Sequence, residues 1–359
     1  QSPEIYNFFE ANGVDLKSQK TTEGKNILHI LIPRLTNYGM LDYFQLRGLD
    51  LNDLDENGNG LFNYAARSGN IELLEELVER GVKYGENKVT GENATLMASS
   101  NRENTVEYFK YLEGLGLNPA VKTKEGVSAL HRIAASNNNL AVYNYFLSKG
   151  LNVNDADANG NTPLINAAGR NNLEMVSFLV EKTKNVNHTN KEGQSALTMA
   201  VMRNNAEVVD YLISKGADVK VTDEKGNTLG QYLIGAYSKN NSADFDKKLK
   251  SLQAKGLDLS KKQGDKSTLF HLAIDKNDLA LLKKVHALKI DVNAKNNEGA
   301  TVLHLAAMKA ADDEILKYLI SIGADRKSTT EFEETAFDLA QENEKLSSNK
   351  VDLGFLKAK

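Results

Sequence analysis

The chain has 359 residues, of which 41% are hydrophobic and 26% charged, a composition typical of a soluble folded protein. The 44 basic and 48 acidic residues give a net charge of −4, which argues against charge-driven binding to nucleic acid or anionic lipid. No cysteine occurs, so disulfides, thiolate metal sites and cysteine nucleophiles are excluded. No stretch approaches the roughly 18 apolar residues that span a bilayer, and we expect no membrane insertion.

The start of the sequence bears on its compartment. It begins at Gln1 without a methionine, as a signal-cleaved protein or a shortened recombinant protein would. The lack of cysteine is compatible with export, where stray thiols are a liability, although a chance deficit in a cytosolic protein explains it nearly as well. We therefore favour an exported or periplasmic bacterial protein slightly over a cytoplasmic one.

Two glycine series with a period of about 33 residues run along the whole chain. The first series is Gly24, Gly58, Gly91, Gly126, Gly160, Gly193, Gly226, Gly264 and Gly299. The second series is Gly13, Gly48, Gly81, Gly116, Gly150, Gly216, Gly256 and Gly323, with Thr183 and Lys289 at two further expected places. Two interleaved series of this regularity indicate a repeat protein.

Each repeat contains signals for two helices. A turn at Gly160 is followed by Thr162 and Pro163, which is the pattern of a helix start, and then by small residues along one face. A second helix is predicted from apolar residues at spacing i, i+1, i+4 and i+5, which lie on one helical face. Examples of this spacing are Leu73, Leu74, Leu77, Val78; Met175, Val176, Leu179, Val180; Val208, Val209, Leu212, Ile213; and Ile315, Leu316, Leu319, Ile320. In three of these units Gly81, Gly216 or Gly323 stands where a left-handed helix cap is expected.

The repeated unit resembles the ankyrin repeat. The resemblance covers essentially the whole chain and is carried by NTPLINAA at 161–168, SALHRIA at 128–134, TLFHLA at 268–273, TVLHLAA at 301–307 and GADV at 216–219. It implies a mainly α protein, an ankyrin-type α-solenoid of stacked helix-turn-helix units with short β-hairpin tips. Stacking is required because one unit cannot bury its apolar face alone.

The period also predicts the domain organisation. We expect a single solenoid over 1–359, with an N-terminal half-repeat at 1–19, about nine repeats over 20–326 and a degenerate capping repeat at 327–359. The unit at 226–259 is longer than the others and must absorb extra residues around Ser238 to Phe245. These extra residues form either a partner-contacting or hinge element or a tolerated surface loop, and we favour the loop.

The six histidines do not indicate a metal or catalytic site. His29, His131, His271 and His304 occupy the same motif position in separate units, and the ankyrin resemblance assigns that histidine a structural role at the turn and helix start. His188 and His286 have no histidine or cysteine at zinc spacing. No phosphate loop, GxSxG or HExxH motif is present. We expect no catalytic residue, metal or cofactor.

The resemblance implies a partner-binding surface on the first helices and the tips. Twelve residues are predicted on or beside the first-helix surface: Tyr64, Arg67, Met97, Arg132, Asn166, Arg170, Met199, Met202, Arg203, Lys276, Met308 and Lys309. Arginine suits carboxylates and methionine suits adaptable apolar contacts, so we expect a protein partner with an acidic segment and hydrophobic anchors. The alternative is that these methionines pack the stack and the arginines are ordinary solvated residues.

The sequence therefore predicts a non-catalytic, monomeric scaffold for protein–protein interaction. One alternative is a nucleic-acid-binding solenoid that uses the arginines on phosphates, which the net charge of −4 and the few aromatic residues on this surface argue against. The other alternative is an enzyme with a site in the irregular 226–259 unit, which would need a convergent polar pocket there.

Overall fold

The computed structural model describes residues 3–136, 139–170 and 173–357. The described residues form α-helices joined by turns, 3-10 helices and isolated β-bridges. By its internal contacts the chain divides into two compact units, Gln1–Lys184 and Asn185–Lys359. Each unit is a stack of ankyrin-type helix pairs, so the predicted mainly α, repeat-based fold class is confirmed.

The first unit begins with a single helix and continues with helix pairs. Its α-helices are α1 (Pro3–Ala11), α2 (Ile27–Leu31), α3 (Gly39–Gln45), α4 (Leu61–Ala65), α5 (Ile71–Glu79), α6 (Ala94–Ala98), α7 (Val106–Gly114), α8 (Ala129–Ser136), α9 (Leu140–Ser148), α10 (Pro163–Ala168) and α11 (Leu173–Lys182). Short 3-10 helices at Ile32–Arg34 and Ala66–Ser68 extend α2 and α4.

The second unit consists of helix pairs throughout. Its α-helices are α12 (Ala196–Arg203), α13 (Ala206–Ser214), α14 (Leu229–Ala236), α15 (Ser242–Ala254), α16 (Leu269–Ile274), α17 (Leu279–Ala287), α18 (Val302–Lys309), α19 (Glu314–Ser321), α20 (Ala336–Glu342) and α21 (Glu344–Ser348). The 3-10 helices of this unit are Lys239–Asn241 and Gly354–Leu356.

Within each unit the first helices of successive pairs pack on one another, as α8 does on α10 and α16 on α18. The second helices pack in the same way, as α7 does on α9 and α13 on α15. The first three residues of each predicted apolar set, such as Leu73, Leu74 and Leu77, are buried, whereas the fourth residue lies half-buried at the edge. The core is therefore a continuous apolar layer between the two rows of helices in each unit.

The predicted helix boundaries are confirmed where the cap chemistry was clear. The Thr162 hydroxyl accepts from the backbone N–H of Ile165, and Pro163 is the first residue of α10. At the other end of the repeat, Gly81, Gly216 and Gly323 all have positive φ, between 71° and 99°. The residue after each glycine then donates to a carbonyl inside the preceding helix, for example Ala217 to Leu212 at 3.0 Å.

The tips are short hairpins that hydrogen-bond along the stack. Isolated antiparallel bridges close several tips, including Lys122 with Ser128 and Thr222 with Thr228. A backbone N–H of one tip then donates to a carbonyl of the preceding tip, as Glu224 does to Glu192 at 3.0 Å. Polar backbone groups that the thin repeat would otherwise leave in solvent thus link neighbouring repeats.

Gly264 does not hold the turn position that the glycine series assigned to it. In this tip Lys266 adopts the left-handed conformation, with φ of 61°, whereas Gly264 lies two residues earlier and has no positive φ. A Cβ at Gly264 would overlap the carbonyl oxygen of Lys225 in the preceding tip and lie 2.8 Å from its carbonyl carbon. Glycine is needed here for the close approach of two backbones, and not for the turn.

The extra residues of the long unit form helix rather than the surface loop that the sequence favoured. The connection after α14 contains the 3-10 helix Lys239–Asn241, and α15 has 13 residues where α13 and α17 have 9. The Asp244 carboxylate accepts from the N–H of Ala206 at 2.7 Å, at the start of α13. The buried ammonium of Lys248 pairs with Asp244 at 2.9 Å and donates to the Val201 carbonyl. The insertion is therefore a bonded segment that caps its neighbours.

Candidate functional site

The four motif histidines, here called the cap histidines, are His29, His131, His271 and His304. In each, Nδ1 accepts a backbone N–H from the residue three positions earlier, for example from Thr301 to His304 at 3.0 Å. Since Nδ1 is an acceptor, the neutral ring carries its proton on Nε2, which lies 3.0–3.1 Å from a carbonyl oxygen of the next tip. These hydrogen bonds are the structural role, at the turn and the helix start, that the ankyrin resemblance implied for these histidines.

Burial lowers the pKa of all four cap histidines below the ordinary value, because it disfavours the charged ring. Protonation of Nδ1 would also place two hydrogens between the ring and the backbone N–H. In the unit where Leu96 takes the histidine place, the Asn93 side chain caps the helix start and makes the link to the next tip. Its side chain accepts from the N–H of Leu96 at 2.9 Å and donates to the Asn118 carbonyl at 2.9 Å.

The twelve predicted surface residues occupy two kinds of position. Counted from the residue that precedes each first helix, one group stands four positions later and the other seven or eight positions later. Positions separated by three or four residues lie on one helical face, so both groups belong to the same face. The first group is Tyr64, Met97, Arg132, Asn166 and Met199. The second group, here called the helix-end residues, is Arg67, Arg170, Met202, Arg203, Lys276, Met308 and Lys309.

In the first unit the fourth-position residues are used inside the stack. Tyr64 is buried and donates to the Asp55 carboxylate at 2.5 Å, and burial, followed by this hydrogen bond, raises the pKa of the Tyr64 hydroxyl. Met97 is buried in the core. Arg132 is half-buried, forms an ion pair with the buried Glu92 and donates to the Leu96 carbonyl at 2.9 Å.

Asn166 and Met199 complete the fourth-position group. The Asn166 side chain is half-buried and donates to the His131 carbonyl at 3.4 Å, which links α10 to α8. Met199 is half-buried on α12 in the second unit. The five predicted residues at the fourth position are therefore buried or half-buried, and Arg132 and Asn166 bond to the preceding repeat.

The helix-end residues of the first unit are exposed. Arg67 lies in the 3-10 helix after α4, and Arg170 lies just beyond α10. Within the part of the chain that the structure describes, neither guanidinium forms an ion pair. Arg34 lies at the same position after α2 and is also exposed, although it was not among the twelve predicted residues. Its position within the repeat could have predicted it, but Pro33 interrupts the helix pattern at this point in the sequence.

The helix-end residues of the second unit are of two types. Met202 is half-buried and Arg203 exposed at the end of α12, and Arg203 forms no ion pair among the described residues. Lys276 donates to the Gly235 carbonyl at 2.5 Å at the end of α14, and Lys309 is paired with Asp275.

The end of α18 combines apolar and charged groups. Met308 is 42% exposed beside the Lys309–Asp275 pair. A cavity of about 310 Å³ between α16 and α18 is lined by Ile274, Ile315 and Lys345 together with that pair. This end therefore presents apolar surface next to cationic side chains.

Residues 3–136, 139–170 and 173–357 contain neither a metal-binding cluster nor a membrane-spanning helix. No group of three or more His, Cys, Asp or Glu side chains there is arranged to hold a metal ion. No helix in these ranges combines the length and the apolar character needed to cross a bilayer. The polar groups that converge in the long unit, Asp244 and Lys248, are bonded to each other and to neighbouring helices.

Comparison with known proteins gives a family. A family model described as ankyrin repeats in three copies matches residues 95–190, 130–223 and 233–330, which together span more than half of the chain. No curated protein matched the sequence. Ankyrin repeats generally mediate protein–protein interaction and are typically non-catalytic. With its matching repeats, stacked helix pairs and cap histidines, the chain belongs to the ankyrin repeat family.

Proposed function

We propose that the chain is a non-catalytic scaffold that binds a partner protein through the exposed helix-end residues and the tips. The observation that carries this proposal is the contrast between the two groups on the first-helix face. The fourth-position residues are buried or half-buried, whereas Arg67, Arg170 and Arg203 are exposed and form no ion pair within the described ranges. Exposed arginines that form no ion pair within the described part of the fold are available to a partner.

The chemistry of the exposed residues indicates the partner. A free guanidinium forms two parallel hydrogen bonds with a carboxylate, and Met202 and Met308 offer adaptable apolar surface beside the basic groups. We propose an acidic segment with hydrophobic anchors as the bound element. The net charge of −4 opposes a nucleic acid in its place, since phosphate-dominated binding depends on an excess of positive charge.

The bonding of the long unit supports a structural role for it. Asp244 caps α13, Lys248 bonds to the end of α12, and the Tyr237 hydroxyl donates to Asp278 at the start of α17. Side chains held in this way are not free to act as a general base or nucleophile. A scaffold is therefore a better account of this unit than an enzyme site.

The test is affinity capture from lysate of the source cell with wild type and a triple charge-reversal variant, Arg67→Glu, Arg170→Glu and Arg203→Glu. We leave Arg132 unchanged because its ion pair with Glu92 belongs to the stack. A matched control reverses the same number of charges at exposed lysines of second helices: Lys110→Glu, Lys247→Glu and Lys250→Glu.

We expect one protein to be captured by wild type and by the control and to be lost by the triple variant, with circular dichroism unchanged in all three. Capture that persists in the folded triple variant would remove the helix-end residues from the proposal and leave the tips. Retention of RNA or DNA in place of a protein, abolished by added salt, would favour the nucleic-acid alternative.

A further inference from the structure

The hairpin tip at Asn87–Glu92 is one residue longer than its neighbours in the first unit. Its closing hydrogen bond runs from the N–H of Asn87 to the carbonyl of Glu92, five positions on, at 2.6 Å. In the preceding tip the equivalent bond joins Asp55 and Asn59, and in the following tip it joins Thr123 and Val127, each four positions apart. The extra residue changes how this tip meets the tip before it.

A side chain replaces the usual backbone bond at this junction. Elsewhere in the unit a tip N–H donates directly to the preceding tip, for example Lys124 to Thr90 at 2.8 Å. Here the Asn87 side chain donates at 2.8 Å both to the Asn57 carbonyl and to the Asn59 side chain. Because a side-chain amide stands between the two backbones, the tips do not close on each other.

A cavity of about 450 Å³ lies between these two tips, and we call it the tip cleft. Its apolar walls are Leu51, Leu54, Leu61, Tyr84 and Val89. Leu54 and Val89 are 58% and 56% exposed, although they are large aliphatic side chains. Single exposed apolar residues are common, but two that line one cavity make a continuous apolar site, and the volume lies within the roughly 300–1,000 Å³ of ligand pockets.

Hydrogen-bond donors and positive charge dominate the polar lining of the tip cleft. Lys83 and Lys88 are exposed and form no ion pair among the described residues, and Glu86 is the acidic residue that lines the cavity. The backbone N–H groups of Gly85, Glu86 and Lys88 have no intramolecular acceptor in the described part of the chain. A third lysine, Lys124, fixes the long tip by donating to the Lys88 carbonyl at 2.7 Å.

We propose that the tip cleft binds an extended, acceptor-rich segment of the partner protein, in which a large apolar side chain stands next to an acidic residue. The apolar side chain enters between Leu54 and Val89, and the carboxylate faces Lys83 and Lys88. The segment's carbonyl groups accept from the backbone N–H groups of Gly85, Glu86 and Lys88. This inference rests on the proposed scaffold function and adds a specific subsite to it. Charge complementarity selects an acidic segment over a neutral or basic one.

The test is selection of a random twelve-residue peptide library displayed on phage against the full chain, followed by affinity measurement with the enriched peptides. We expect enriched peptides to share an aromatic or large aliphatic residue adjacent to Asp or Glu. The double variant Leu54→Ser, Val89→Ser weakens binding by about tenfold or more, since it removes apolar area that the peptide buries. Both side chains are already largely exposed, so the fold is retained.

Two matched controls separate the cleft from general stickiness. The variant Leu46→Ser removes another exposed leucine of the same unit and leaves the affinity unchanged. Charge reversal at Lys83 and Lys88 weakens binding by about fivefold or more at low salt, whereas reversal at the tip lysines Lys191 and Lys225 does not. Enriched peptides that bind the Leu54→Ser, Val89→Ser variant as well as wild type overturn the proposal, as does a selection without a shared motif.

The outcome is distinguishable from failure of the scaffold function. Peptides whose binding is lost only in the Arg67, Arg170 and Arg203 triple variant would support the scaffold function and overturn the proposal for the tip cleft. Peptides lost only by the Leu54→Ser, Val89→Ser variant support the cleft even when lysate capture fails. Sedimentation of wild type that shows self-association, abolished in that double variant, would assign the cleft to a second copy and overturn the proposal.

Discussion

The same substitution at two glycines of the second unit should have opposite effects on stability. Gly264→Ala introduces a Cβ that overlaps the Lys225 carbonyl oxygen and lies 2.8 Å from the carbonyl carbon. Because both obstructing atoms are backbone, the tips must move apart to accommodate it. Overpacking of this kind costs about 1–3 kcal/mol, and we expect the upper part of that range.

Gly235→Ala is the matched control. Gly235 lies inside α14 and is exposed, and no atom beyond its chain neighbours and its own helix backbone lies within 4 Å of the position that a Cβ would take. Alanine there gains about 0.5–1 kcal/mol, because glycine is the weaker helix former. In urea unfolding followed by circular dichroism, we expect the midpoint concentration of urea to be highest for Gly235→Ala, intermediate for wild type and lowest for Gly264→Ala. A Gly264→Ala variant as stable as wild type would show that the two tips do not approach as described.

Three further predictions concern charge and stability. Arg132→Met should destabilise the chain by about 2 kcal/mol or more in urea unfolding, because it leaves the buried Glu92 without its partner, whereas Arg67→Met should change the free energy by less than about 0.5 kcal/mol. Asp244→Ala should cost about 2 kcal/mol or more, because it removes the α13 cap and also leaves the buried Lys248 ammonium without its ion-pair partner, and hydrogen exchange should locate the loss at the start of α13 and in α15. The cap histidines should contribute fully to the free energy of unfolding above about pH 6.5. That free energy should fall as the pH drops from there towards the lowered pKa values of the folded cap histidines, because the unfolded chain binds these protons first. His304→Gln should make the free energy of unfolding less dependent on pH in this range, and an unchanged pH dependence would contradict the assignment.

The repeats and helix ends were accessible from the sequence because their chemistry is local. Thr162 and Pro163 start a helix through bonds and dihedral angles within a few residues, and Gly81 ends one through its own left-handed conformation. Local rules failed where a contact with a neighbouring repeat determines which residue is needed. Gly264 lies close to the position that the glycine series predicts for the turn. Glycine is required there, however, because of the close approach of the Lys225 backbone some 40 positions earlier.

In the candidate site, too, the sequence predicted the features that depend on local residues and missed those that depend on other repeats. The sequence placed both groups on one helical face, yet it could not separate them, because the partners of Arg132 and Asn166 come from preceding repeats. The tip cleft was hidden for another reason. The step from Gly58 to Gly91 is the usual length, so the extra tip residue beside Asn87 leaves no mark on the glycine period.

The most direct test of the scaffold account is calorimetric titration of the captured protein into wild type and into the Arg67→Glu, Arg170→Glu, Arg203→Glu variant. The account predicts binding to wild type that is at least about tenfold weaker in the variant and that weakens with added salt. Equal affinity for the two folded chains would contradict the claim that the exposed ends of the first helices hold the partner.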